Sequence, residues 1–275
     1  MALSEYQRGI CQLIAANRRA NGESYVAGGV ALNTLLNTPR LSRDIDLFHD
    51  TDTALITSWL ADRQLLQTAG YAVMVLRETA AFVEAVVSRH DESVLMQWAR
   101  DSAFRFFPLV EDDLLGLVLH PFDLATNKVL ALAGRLEARD WIDVLNCHEY
   151  IQPLGYLVWA ACGKDPGFSP TSLIAAARRS SRYSQVELDE LAFVESPPDA
   201  KTLGVKWHAI LQEAVAICDL LPPAEVGTCV ITTGGELYRG SADNLSTALE
   251  NGHITFHKGT LRGVLPQIKG PLHET

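Results

Sequence analysis

The stretch that most constrains this chain is Gly28-Gly29-Val30-Ala31-Leu32, followed by Arg40-Leu41-Ser42-Arg43-Asp44-Ile45-Asp46-Leu47-Phe48. It reads as a strand end, a glycine turn, a short helix, a loop and a strand carrying two carboxylates. Successive strand residues face opposite sides, so Asp44 and Asp46 share one face and Ile45 and Leu47 the other. The two carboxylates lie about 7 Å apart along the strand and repel unless a cation sits between them. Mg²⁺ is a hard cation that takes oxygen ligands and often shares them with substrate phosphates. Gly28 and Gly29 have no side chain to keep a phosphate from the backbone. A helix starting just after them aims N–H groups and a positive dipole end at that phosphate. Either motif alone is ordinary, since a D-x-D triplet is often a solvated strand end and a Gly-Gly a turn. Together they point to a Mg–nucleotide site.

With 275 residues, 48% of them hydrophobic, the chain can bury a sizeable core in one or two domains. No apolar run approaches the ~20 residues of a membrane-spanning helix, and residues 1–19 lack the apolar core of a secretion signal. Those residues read as an amphipathic helix with Tyr6, Ile10, Leu13 and Ile14 on one face. The five cysteines are odd in number and widely spaced, so a disulfide framework is not expected and a reducing cytoplasm fits. The net charge of −10 argues against a large nucleic-acid footprint, which depends on Lys and Arg contacts to phosphate.

Along the chain, 25–27 reads as a strand, 30–36 as a helix, 43–48 as the acidic strand and 53–68 as an amphipathic helix. Runs 71–77, 81–88 and 93–100 read as an antiparallel meander joining the acidic strand. Residues 104–108 read as an aromatic loop and 114–119 as one more strand. A helix follows from Pro121 to Gly134, then another over 137–150. Lys128 and Arg135, seven apart, share a helix face, and Asp140 and Asp143 are neighbours three apart. Beyond residue 150 the pattern is helical, with helices expected over 154–161, 169–180, 185–193 and 202–220. In 226–268, short strands are expected at 229–232, 236–238 and 253–257 around a helix at 244–250.

At this point the residues resemble a known family. Gly28-Gly29-x-Ala31-Leu32, Arg40-x-Ser42-x-Asp44-x-Asp46-Leu47-Phe48, Asp123-Leu124-Ala125-x-Asn127-Lys128-x-x-Ala131-x-x-Gly134-Arg135 and Arg139-Asp140-x-x-Asp143 are similar to the AbiEii/AbiGii toxin group of the nucleotidyltransferase superfamily. The likeness covers roughly residues 24–145 and rests on two separated motif blocks in the right order. It implies an α+β, polymerase-β-like core, a mixed sheet flanked by helices in residues 1–145. A mainly helical region, 146–275, would follow, with its short strands near 226–268. It implies transfer of a nucleotidyl group from an NTP to an acceptor hydroxyl on a tRNA, a protein or a small molecule. It also implies the toxin-like role of a bacterial toxin–antitoxin or phage-defence system, with an antitoxin partner. Carried over by position, Asp44 and Asp46 hold Mg²⁺, Gly28 and Gly29 face the triphosphate, and Lys128 contacts phosphates. Arg40, Ser42 and Arg135 assist, and Asp143 takes a structural or catalytic role.

One position departs from the superfamily. A third carboxylate is due on a neighbouring strand, and Gln97 stands there. Glutamine cannot act as a base and is a weaker metal ligand. Asp101, two alternations on, and Glu84, on the preceding strand, are the substitutes to consider. Gln97 therefore keeps a second reading open, a nucleotide-binding or interaction protein of weakened catalysis, and an antibiotic nucleotidyltransferase is a third. Trp98, Phe104, Phe106 and Phe107 read as core or sheet cover. His120 reads as a turn residue, Asp123 as an N-terminal helix cap, and Arg178, Arg179 and Arg182 as a solvated helix end.

Overall fold

In the computed structural model, residues 3–179 and 183–261 are described. Ser180 and Arg182, and the 262–268 part of the expected C-terminal segment, lie outside them. The chain opens with α1 (Glu5–Asn21), started by a Ser4/Gln7 capping box and closed by Gly22 in the left-handed conformation. Its Tyr6, Ile10 and Ile14 are buried. Then come β1 (Ser24–Val26), α2 (Gly28–Leu36), β2 (Asp44–His49) and α3 (Asp52–Thr68), the last capped by Thr51. The meander is β3 (Ala72–Thr79), β4 (Phe82–Arg89) and β5 (Glu92–Arg100). Short strands β6 (Phe104–Arg105), β7 (Val110–Asp112) and β8 (Gly116–Val118) lead into helices α4 (Pro121–Arg135) and α5 (Ala138–Tyr150).

Seven strands form one mixed sheet in the order β3-β4-β5-β2-β1-β8-β7. β2 runs parallel to β5 and antiparallel to β1, so the acidic strand lies inside the sheet with neighbours on both sides. Its alternation is strict: Ile45 and Leu47 are fully buried, while Asp44 and Asp46 are half-buried on the opposite face. Beneath the apolar face, Trp98 of β5 meets Trp59 of α3 edge-on at 4.7 Å between ring centres. The Trp98 indole N–H donates to Asp62, which also takes a buried ion pair from Arg18 of α1. That polar knot ties α1, α3 and β5 together below the site.

The later elements are α6 (Leu154–Lys164), α7 (Pro170–Arg179), α8 (Gln185–Asp189), α9 (Ala200–Leu220), β9 (Thr228–Thr232), α10 (Ala242–Glu250), β10 (Ile254–Lys258) and β11 (Thr260–Leu261). One apolar cluster runs from Leu3 to Cys229. Within it, Trp141 of α5 meets Trp207 of α9 edge-on. No described helix is long and apolar enough to cross a membrane.

Four local expectations change, in three cases because a distant segment competes with local propensity. Phe104 and Arg105 are not loop but β6, paired with β11 from the far end of the chain. The helix expected over 185–193 stops at Asp189. Residues 192–194 instead pair with the loop before β2, through Leu41 N–H to Ala192 O (2.8 Å) and Val194 N–H to Pro39 O (2.9 Å). Residues 236–238 form no strand; Leu237 makes a single bridge to Ile231 after a tight turn. Asp123 does not cap α4. His120 does, its Nδ1 accepting from Phe122 N–H, while Asp123 is buried, accepts from Phe106 and Phe107 N–H and pairs with Lys164.

Candidate active site

β1 ends at Val26, and the chain turns into α2 at Gly28, whose φ is +66°. An added Cβ at Gly28 would stand 2.1 Å from Asp46 Oδ2, and at Gly29 it would stand 2.7 Å from Arg40 Nη2 and 2.9 Å from Ser42 Oγ. The two glycines thus let the aspartate and the arginine close onto the backbone at the start of α2. Among the described residues no side chain caps this helix end, so its first N–H groups and positive dipole end stand at the site. Gly28→Ala therefore forces both a left-handed Cβ and a clash with a carboxylate. We expect it to lower unfolding free energy by about 1–3 kcal/mol in urea titration. Gly29→Ala meets only side-chain ends and costs less.

Asp44 and Asp46 face a cavity of ≈ 630 Å³, lined also by Gly29, Arg40, Ser42, Gln97, Lys128 and Arg135. Among the described residues, the Asp46 carboxylate accepts no hydrogen bond and makes no ion pair, while its backbone carbonyl accepts from Ala27 N–H at 3.1 Å. Burial and then the neighbouring Asp44 push its pKa up, against Lys128, Arg139 and Arg135, which pull it down. Asp44 has one cation nearby, Arg139 at 3.6 Å.

Across from these acids, α4 and α5 form a charge network. Arg40 grips Asp143 with two bonds of 2.8 Å, from Nε and Nη2. Lys128 bonds Asp143 at 2.8 Å and Asp140 at 3.1 Å. Arg135 grips Asp140 at 2.6 and 3.0 Å. Asp140 and Asp143 are fully buried and Lys128 nearly so. Burial opposes charge on both aspartates, but Arg135 and Lys128 hold Asp140 below the ordinary carboxylate value. Lys128 and Arg40 do the same for Asp143. Burial likewise opposes the Lys128 ammonium, and Asp143 and Asp140 outweigh it, so its pKa rises. Three cations and two carboxylates leave this wall with one net positive charge toward the cavity.

The structure thus gathers Gly29, Arg40, Ser42, Asp44, Asp46, Lys128 and Arg135 around one cavity. Gly28 lies under Asp46, and Asp143 stands behind Arg40 and Lys128. Asp101 is not brought in. β5 ends at Arg100, the Asp101 N–H turns to His49 O, and its carboxylate takes Tyr25 O–H and Ser102 N–H. Gln97 stands directly beside Asp46 in the parallel β2–β5 register. Sequence reasoning gave no role to two parts of the site. Arg139, beside Asp44, stood in the Arg139-Asp140-x-x-Asp143 block without an assigned function. Glu187, Glu190, Leu191 and Ala192 wall the cavity from the C-terminal region, and no local pattern marks them.

Comparison with solved structures places the fold among known ones. The Helicobacter pylori protein JHP933 superposes with a TM-score of 0.54 at 15% identity, over 79% of this chain and 95% of that one. A second H. pylori structure, assigned as a nucleotidyltransferase, gives 0.52 at 13% identity, over 78% and 97%. The nucleotidyltransferase toxin MenT4 of Mycobacterium tuberculosis gives 0.51 at 17% identity, over 78% and 83%. The fold is therefore that of the nucleotidyltransferases, a mixed α+β sheet flanked by helices. Neither a family model nor a curated protein sequence matches the chain.

Proposed function

We propose that the chain is a Mg²⁺-dependent nucleotidyltransferase that moves an NMP group from an NTP to an acceptor hydroxyl on a tRNA, a protein or a small molecule. The observation that carries this reading is Asp46. It is a half-buried carboxylate with no hydrogen bond among the described residues, beside a second carboxylate, in a cavity whose opposite wall is cationic. Two such carboxylates suit a hard dication, which takes oxygen donors, so the residues present fit Mg²⁺, with Asp44 and Asp46 as its holders. When bound, such a cation neutralises charge developing on the transferred phosphoryl oxygens.

The chain's own residues do the rest. Gly29 and the uncapped start of α2 offer backbone N–H groups to phosphate. Lys128 and Arg135 stabilise the charge that builds on the departing pyrophosphate as the acceptor oxygen attacks the α-phosphorus. Asp140 and Asp143 hold those cations, and Arg40, in fixed geometry, and Ser42 adds a hydroxyl to the same wall. We also assign residues 1–145 as the nucleotidyltransferase-like domain and 146–275 as its helical companion; in support, the seven-stranded sheet lies wholly between Ser24 and Val118. A toxin-like role with an antitoxin partner is supported by the resemblance of the motif blocks to the AbiEii/AbiGii group and by the fold shared with MenT4.

A second reading, a nucleotide-binding protein of weakened catalysis, is favoured by one observation: an amide, Gln97, stands beside Asp46 where an acid could stand. Incubation with each α-labelled NTP, Mg²⁺ and cell extract separates the two. The expected result is label transferred to a macromolecule or small product, lost on chelation. Calorimetric NTP binding with no transfer under any condition would establish the second reading instead.

A further inference from the structure

Gln97 stands between two acids from opposite sides. Its neighbour on β2 is Asp46 and its neighbour on β4 is Glu84. With the strands in the order β4-β5-β2, these two carboxylates flank it left and right on the sheet. The Gln97 Nε2 donates to Glu84 Oε1 at 2.8 Å. A carboxylate can only accept, so Glu84 fixes the amide with its nitrogen toward β4. In the planar amide the oxygen diverges from the nitrogen at Cδ, so Oε1 is turned away from the Glu84 contact, and Gln97 itself lines the cavity that Asp44 and Asp46 face. A carbonyl oxygen beside a carboxylate is repulsive unless positive charge lies between them.

We propose that Gln97 Oε1 is a third, neutral oxygen ligand for the cation held by Asp44 and Asp46, and that Glu84 is the positioning residue that keeps the amide oxygen turned that way. This rests on the reading that Asp44 and Asp46 bind a cation. Among the described residues, no cluster of three or more His, Cys, Asp or Glu side chains is placed to hold one ion. Two carboxylates alone underfill the shell of a hard dication, and side-chain amide oxygens are accepted donors for such ions. The substitution at position 97 is then not a lost base but an exchange of a charged ligand for a neutral one. The ligand set carries two negative charges, matching one dication. Glu84 acts from the outer shell, as carboxylates behind metal ligands commonly do.

The test is Mn²⁺ titration of the full chain, followed by the electron paramagnetic resonance of the free ion, with no turnover needed. Wild type should bind one Mn²⁺, and Asp46→Asn should abolish binding. Gln97→Leu should weaken it by roughly 10-fold or more, and Gln97→Glu, which restores a charged oxygen, should tighten it. Glu84→Leu should weaken binding by roughly 10-fold as well, whereas Glu84→Gln, which keeps an acceptor oxygen, should restore it. Thermal melts of each variant confirm folding. No binding by wild type, or undiminished binding by Asp46→Asn, overturns the underlying metal reading. Binding by wild type that Gln97→Leu leaves unchanged overturns the role of Gln97 while the metal reading stands. Glu84→Gln as weak as Glu84→Leu shows that Glu84 acts through its charge and overturns the positioning role.

Discussion

Asp46→Asn should give a chain that folds at least as well as wild type and transfers no nucleotide. The two effects come from one feature. In the folded chain the Asp46 carboxylate is half-buried, lies beside Asp44 and has no hydrogen-bond donor among the described residues, so its charge is disfavoured. Asn has nearly the same shape and no charge, and it removes the repulsion. A gain of about 1 kcal/mol would raise Tm by roughly 2–4 °C in a chain of this size. Activity goes the other way, because charge that the transition state needs has lost its holder. Removing one electrostatic stabiliser of this kind costs roughly 10²–10³-fold in kcat, and removing a metal-holding carboxylate should reach at least the upper end. Melting by circular dichroism and a labelled-NTP transfer assay read the two effects separately. Undiminished transfer would remove Asp46 from the chemistry. A sharply lowered Tm would show that the carboxylate holds the fold.

Asp143→Ala should act on the fold first. The Asp143 carboxylate is fully buried and joins Arg40, on the loop before β2, to Lys128 on α4. Its removal leaves the buried Arg40 guanidinium without its carboxylate and Lys128 with Asp140 alone, and breaking a buried pair in this way typically costs about 3–5 kcal/mol. Urea unfolding should show that loss as a lower midpoint. Activity should fall with it, since Arg40 and Lys128 lose their shared anchor. Asp143→Asn keeps the hydrogen-bond acceptor and should lose less stability. The same network sets a pH window. Asp140 and Asp143 have depressed pKa values, so their contribution is present above the unfolded carboxylate value of about 3.9 and lost as pH falls below it. Lys128 has a raised pKa, so its contribution is full below the unfolded lysine value of about 10.4 and lost as pH rises beyond it. Between those limits the network holds. A wild-type midpoint unmoved by Asp143→Ala would mean that solvent or rearrangement already compensates these cations.

Much of the site was legible because it is local. Alternation on β2 placed Asp44 and Asp46 on one face and Ile45 and Leu47 on the other, as the structure has them. Helical spacing put Lys128 with Arg135, and Asp140 with Asp143, and those four residues make the network together with Arg40. Gly28 and Gly29 were legible as a turn, but the reason for both glycines was not. They make room for Asp46, Arg40 and Ser42, which arrive from later in the chain. The grip of Arg40 on Asp143 spans 103 positions, and no spacing rule reaches that far.

The acidic cavity wall shows the same limit from the other direction. Residues 185–193 have the composition of a helix, yet α8 ends at Asp189 because the chain beyond it bonds to Pro39 and Leu41. Backbone pairing between distant segments outweighed a weak local preference. By itself, then, the sequence determined which residues carry charge, which face of each element they occupy, and that two carboxylates follow a double-glycine turn. Tertiary structure alone decided which faces meet: that Asp143 anchors Arg40 and Lys128, that Gln97 is held between Asp46 and Glu84, and that Asp101 stays away. The physical reason is that periodicity encodes direction within one element. Partners are chosen by packing and by buried charges that must be satisfied, which exist only once the chain has closed on itself.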